Sequence, residues 1–189
     1  MVKVGFICEG ETEKIIVESE NFKQLLIQNN CVFLKAIDAT GNGNLLPKNI
    51  SPFINVLIDE GADKIFILSD LDLDECITKT KLRIDAPESI IVIIAVKQIE
   101  SWILADAILL SNIFNEPYLF AYPERENIPR ETLRKLFIEK IQRGIGNSKP
   151  KFAYSMVSQG FSILNAANNP QCYSAKYFIK KLESLSEDI

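Results

Sequence analysis

The sequence predicts an α/β fold, a mainly parallel four-stranded sheet with helices on both faces, and three observations lead there. Short apolar runs rich in β-branched residues recur at 2–8, 31–37, 64–69 and 89–96, each of strand length and separated by stretches of helical periodicity. The runs at 64–69 and 89–96 are apolar almost throughout, as strands covered on both faces are. Acidic residues follow three of the runs directly: Glu9, then Asp70 and Asp72, then Glu100. In open parallel sheets the crevice beyond the strand carboxyl ends is where ligands bind.

Taken in order, Val2 to Cys8 is the first strand, and Gly10 turns the chain into a helix from about Lys14 to Asn29, with Ile15, Ile16, Phe22, Leu25 and Leu26 as its apolar set. Cys31 to Ile37 is the second strand. Thr40 to Asn44, TGNGN, is a loop lacking both G-x-x-x-x-G-K-S/T and G-x-G-x-x-G spacing, so it reads as a connection or a ligand-contacting loop. Pro47 to Glu60 is a helix stopped by Gly61. Lys64 to Ser69 is the third strand, and a short helix over Glu75 to Leu82 leads to the fourth at Ser89 to Val96. Gln98 to Leu110 is helical, Asn115 to Pro129 irregular, and Arg130 to Gln142, Lys151 to Ala166 and Ser174 to Ser184 are further helices. The chain divides on this reading into an α/β core over 1–112 and a helical appendage over 113–189 packed on it.

Composition narrows the chemistry. With nearly half of its 189 residues hydrophobic and ordinary charge content, the chain can bury a core and is not disordered. Residues 1–8 carry one lysine and too short an apolar run for a secretory signal, and no stretch has membrane-spanning length. Cys8, Cys31, Cys76 and Cys172 lack C-x-x-C spacing, so free thiols in a reducing cytoplasm are expected, without contact to a membrane. There is no histidine, which removes Ser-His-Asp and Cys-His nucleophiles, histidine-ligated zinc and histidine bases together. Oxygen-rich sites suit magnesium, manganese or calcium.

Residues i and i+2 of an extended segment point the same way, so Asp70 and Asp72 are expected to converge, with Asp74 next in line. Taken singly, Glu9 also reads as an anion at a helix start and Glu100 as a surface helix residue beside Trp102. Together, acids at three strand ends in a chain without histidine point to a divalent-metal site. Glu9 must then meet Asp70 and Asp72 across one strand spacing, which places the third strand beside the first.

These residues carry a resemblance. A strand ending in Glu9-Gly10 before a helix, then an apolar strand ending in Asp70-x-Asp72, resembles the TOPRIM fold of topoisomerases, primases, recombination proteins and OLD-family nucleases. The E-G-E-T-E stretch, with Glu9 and Glu13 four apart, is similar to the OLD type, in which a second glutamate joins the site. Glu100-Ser101-Trp102-Ile103-Leu104-Ala105-Asp106 is similar to the I-E-x-W-h-x-A-D motif of small stand-alone TOPRIM-like proteins found in defence and mobile-element neighbourhoods. The resemblance spans about residues 2–110. It implies a TOPRIM-like, Rossmannoid core and a magnesium- or manganese-dependent phosphodiester hydrolase acting on DNA or RNA. Asp70 and Asp72 would hold metal, Glu9 would share it or act as general base, Glu13 and Glu100 would complete a second site, and Lys97, Lys149 or Lys151 would offset transition-state charge. An ATPase is the implied protein partner. A TOPRIM-like module that binds metal, nucleic acid or a partner without catalysis, and a phosphatase or transferase acting on nucleotides, are the other readings.

Net charge is −4, against non-specific coating of nucleic acid. Residues 124–151 run the other way: eight Lys or Arg (Arg125, Arg130, Arg134, Lys135, Lys140, Arg143, Lys149, Lys151) against four Glu. Arg134, Lys135, Arg143, Lys149 and Lys151 are therefore the expected nucleic-acid contacts, and Leu133, Leu136, Phe137 and Ile141 the inward face of the Arg130 to Gln142 helix.

Overall fold

The computed structural model describes residues 1–185. Among them lies one four-stranded, all-parallel sheet of strands β1 (Val2–Cys8), β2 (Cys31–Asp38), β3 (Lys64–Asp70) and β4 (Ile90–Ala95), in spatial order β2-β1-β3-β4. The first and third strands are neighbours, with Cys8 opposite Leu68, as the pairing of their acids requires.

Alternate strand residues feed two apolar layers. Val4, Phe6, Cys8, Phe66, Leu68, Ile93 and Ala95 face one, and Ile7, Ile65, Ile67, Ile90 and Ile94 face the other. Helices α3 (Pro47–Asp59) and α4 (Ile77–Ile84) cover the second face through Ile50, Ile54, Leu57 and Ile84. The first face carries α1 (Glu11–Val17), α2 (Glu20–Gln28), α5 (Glu100–Ala105), α6 (Ala107–Phe114), α7 (Pro129–Ile141), α8 (Lys149–Ser158), α9 (Ile163–Asn168) and α10 (Tyr173–Ser184). Phe178 of α10 sits on Phe66 of β3, on Phe22 of α2 and on Trp102 of α5, ring centroids 5.6–5.9 Å apart. The helices beyond residue 113 thus share the layer that the sheet itself builds. All four cysteines are free thiols, three of them buried, and no helix among the described residues is long and apolar enough to cross a membrane.

Three expected helices are each two helices. The span expected from Lys14 to Asn29 breaks at Ser19, whose extended backbone (φ −65, ψ 150) caps α2 by accepting the Phe22 N–H at 3.3 Å. Six residues separate Ile16 from Phe22, which at 100° per residue is out of phase for a single apolar face. The Gln98 to Leu110 span breaks at Asp106, whose carboxylate accepts the Leu109 N–H at 2.9 Å and caps α6. Lys151 to Ala166 likewise divides into α8 and α9 around Gly160, where φ is +97. A 3-10 turn occupies Asn42–Leu45 within the TGNGN loop and its exit, and another occupies Pro123–Arg125.

Candidate active site

Backbone pairing delivers the acids to one edge of the sheet. Glu9 leaves β1 with its N–H still bonded to Leu68 O of β3 at 2.9 Å. Its Oε2 accepts from Ser69 Oγ at 2.6 Å and from the Asp70 N–H at 3.1 Å. The Glu9 carboxylate is therefore fastened against the end of β3, with Oε1 left for other work. Asp70, the last residue of β3, is buried, and its Oδ1 accepts the Ile99 N–H at 2.7 Å. That bond ties β3 to the turn that starts α5 and brings in Glu100. Glu13, on the first turn of α1, reaches back so that Oε2 accepts the Gly10 N–H at 3.0 Å.

Asp72 arrives by a different route from the one expected. The chain stops being extended after Asp70, and Asp72 has φ +48, in the left-handed region. Its N–H goes to Lys97 O at 2.8 Å, while Leu71 N–H goes to Ala95 O at 2.9 Å. A turn pinned to the end of β4, rather than the two-residue alternation of a strand, therefore sets Asp72 beside Asp70. Asp74 does not join them. It accepts from Thr80 Oγ1 at 2.9 Å and pairs with Arg83 Nη2 at 2.9 Å, which hold its carboxyl below the usual range.

A cleft of about 320 Å³ opens on this edge, lined by Glu9, Glu13, Asp70 and Asp72, with Lys149 at its side. Lys149 begins α8, which packs on α1. Lys97 supplies its carbonyl to Asp72, but its side chain is not among the residues lining the cleft. Three further wall residues come from segments to which the sequence reading assigned no acid: Asp38, Thr40 and Gly41. Asp38 ends β2 opposite Cys8, the same strand-end rule that marked the other acids, and its Oδ1 accepts the Thr40 N–H at 2.6 Å. The TGNGN loop is thus a wall of the cleft, held by the Gly41 N–H to Glu9 O at 2.7 Å, where φ of +115 suits glycine.

Behind the cleft lies Glu100, 1% exposed, with neither carboxylate oxygen hydrogen-bonded. Its nearest cation is Arg130 of α7, Nη1 to Oε1 3.5 Å, and Arg130 is itself buried. Arg130, counted in the basic segment but not among its expected phosphate contacts, is turned inward by the fold against Glu100. The rest of the E-S-W-x-L-A-D stretch is architectural. Trp102 Nε1 donates to Ser174 Oγ at 2.7 Å, Ser174 donates to Glu124, and Asp106 Oδ2 accepts the Ser162 N–H at 3.0 Å.

Crowding of carboxylates changes their protonation. Burial first, then the Glu9 and Glu100 charges, push Glu13 up to about 7. Burial, then Glu13, Glu100, Glu9 and Asp72, hold Asp70 well above the usual range. Because the folded values exceed those of the unfolded chain, the stability these groups contribute is complete below about pH 4 and is lost as pH rises, for Glu13 through about 7. In chelator, the thermal midpoint should therefore fall between pH 5 and pH 8, with Glu13 alone contributing about 3 kcal/mol. Glu13→Gln should flatten that fall, and an unchanged slope in the variant would show that Glu13 ionises freely.

Comparison with protein-family models, with curated proteins and with solved structures gives no match. The site is read from its own chemistry. All its donors are oxygens, and Glu100 keeps two buried oxygens without a hydrogen-bond donor, which suits a hard divalent cation. No group of three or more His, Cys, Asp or Glu among the described residues is drawn close enough to enclose an ion. Magnesium does not need such a cage, since it keeps waters and takes one or two carboxylates plus substrate phosphate.

Proposed function

We propose that this protein is a TOPRIM-like, magnesium- or manganese-dependent phosphodiester hydrolase acting on nucleic acid. The observation that carries the reading is the convergence of Glu9, Glu13, Asp70 and Asp72 on one cleft at the carboxyl edge of a parallel sheet, with a lysine at its side and Glu100 behind. Asp70 and Asp72 would hold the metal with Glu9, and Glu13 with Glu100 would hold a second. A metal there supplies a water of lowered pKa and stabilises charge on the phosphoryl oxygens.

The chain's own groups then have distinct tasks. Glu9, fastened by Ser69 Oγ and the Asp70 N–H, presents one oxygen in a fixed direction. Glu13, its Oε2 held by the Gly10 N–H at 3.0 Å, would serve the second metal as a carboxylate, the cation offsetting the burial and the neighbouring acids that otherwise push it up. Lys149 at the side of the cleft stands where a phosphate next to the scissile one would pass. Arg143 and Lys151 have no ion-pair partner among the described residues, whereas Arg134 is drawn to Glu131 at 3.3 Å and Lys140 to Glu116 at 2.7 Å. Arg143, Lys149 and Lys151 are therefore the more available phosphate contacts in the basic segment, with exposed Lys135 beside them.

A non-catalytic metal- or partner-binding module is the second reading, favoured by the net charge of −4 and the open ligand set; in it an ATPase partner would supply the grip on nucleic acid. The test is direct. Purified protein should bind manganese by calorimetry and cleave labelled single- or double-stranded oligonucleotides only when manganese or magnesium is added. Binding without cleavage of any oligonucleotide or nucleotide would transfer the conclusion to the second reading, and absence of manganese binding would end both.

A further inference from the structure

A second cavity, of about 480 Å³, opens between the end of α7 and the start of α8, within the volume range of small-ligand sites. Its apolar lining includes Phe137, Phe152, Ile145 and Met156, which belong to the buried core layer and show only their edges to the cavity. Arg143 and Lys151 stand on its rim, both exposed and without an ion-pair partner among the described residues, and no acidic residue lines it. Asn147, Ser148, Ser155 and Gln159 add amide and hydroxyl groups to the walls. An apolar lining, neutral hydrogen-bonding walls and a cationic rim match a flat heterocycle attached to a phosphate.

The position of this cavity supplies the second half of the argument. Ser148 and Lys151 line it, while Lys149, between them in the same turn, lines the acidic cleft. The two openings therefore share one wall. Arg130 makes the connection rigid: its Nη1 faces Glu100 at 3.5 Å and its Nη2 donates to Gly146 O at 3.2 Å, in the loop that lines the second cavity. A sugar-phosphate chain crossing the Ser148–Lys151 turn would place one phosphate at Lys149 by the acids and the next near Lys151, with the intervening base free to drop against Phe137 and Phe152.

We propose that this cavity takes one unstacked nucleotide of a single-stranded polynucleotide, adjacent to the phosphate held at the acidic edge. The assignment rests on the nucleic-acid reading of the acidic cleft and narrows it to a substrate class. A duplex keeps its bases stacked and would have to extrude one to fill the cavity, at a cost of unpairing and unstacking. Single strands, or duplexes with unpaired bases, are thus the favoured ligands, with the ribose or deoxyribose form left to the sugar contacts.

The experiment is fluorescence anisotropy in magnesium with oligothymidylate carrying phosphorothioate linkages, which resist hydrolysis. The same sequence as a duplex, an oligouridylate and free thymidine monophosphate serve as competitors. The native protein should prefer the single strand over the duplex. Ser155→Trp, which fills the cavity, and Arg143→Ala/Lys151→Ala, which strips its exposed rim, should each weaken single-strand binding by about tenfold or more, the scale of one lost base contact. Manganese affinity by calorimetry and the thermal midpoint should be unchanged in both variants, which separates a lost contact from a folding defect. Native single-strand binding that Ser155→Trp leaves intact overturns the cavity assignment and leaves the hydrolase reading standing, whatever the rim variant does. A preference for duplex, or thymidine monophosphate competing as well as the strand, overturns it too. Failure of the native protein to bind any of these ligands removes both.

Discussion

Asp70→Asn should lower metal-dependent cleavage by about a hundredfold or more, the scale on which losing one preorganised electrostatic group at a reacting centre is felt. The substitution is nearly isosteric, and the carbonyl oxygen of the new side-chain amide can keep the bond that Oδ1 now accepts from the Ile99 N–H at 2.7 Å. The fold at the end of β3 should therefore survive. What disappears is a negative charge in a place where burial and four neighbouring carboxylates already resist it. Without a metal, removal of that charge relieves repulsion, so the variant should be at least as stable as the native protein in chelator above neutral pH. With manganese present the order should reverse, because the native protein gains binding energy that the variant loses. Cleavage that survives Asp70→Asn at native rate, or an unaltered manganese affinity, would remove Asp70 from the mechanism.

Arg130→Met should be the most destabilising single change near the site. It leaves the Glu100 carboxylate 1% exposed with no cation within reach and beside the Glu13 and Asp70 charges. Breaking a buried ion pair from one side costs about 3–5 kcal/mol, which for a chain of this length lowers the thermal midpoint by roughly 10 °C. The pair is 3.5 Å apart and not hydrogen-bonded, which favours the lower end. Adding Glu100→Gln should return most of the loss, since the orphaned charge is then gone. If Arg130→Met and the double variant melt together, the cost lies in lost packing against Phe152, whose ring centroid is 6.0 Å from the guanidinium, and not in charge.

Much of the frame was legible because it follows from one-dimensional regularities. The four strands and the β1–β3 pairing follow from apolar runs and from the need for Glu9 to meet Asp70. Helix phase was legible where the apolar set stayed on one face, as in α7, where Leu133 and Phe137 are buried, and misleading where Ser19 or Asp106 captured a backbone N–H and restarted the helix. Asp38 follows the expected second strand as directly as Glu9 follows the first, so the strand-end rule was enough to find it.

The sequence by itself determined an α/β parallel sheet, a donor set without histidine and the positions of the strand-end acids, because period, composition and strand polarity act locally. Tertiary structure alone decided which charges face one another. Asp72 entered the cleft by a left-handed turn bonded to Lys97, and Asp74 was taken out of it by Arg83. Arg130 left the basic surface to sit against Glu100, and Lys149 rather than the Lys97 side chain lines the cleft. Several of these outcomes bring together residues far apart in the chain, Glu9 and Lys149 on one cleft above all, and the energy of a buried charge is set by whichever partner the packing brings within a few ångströms.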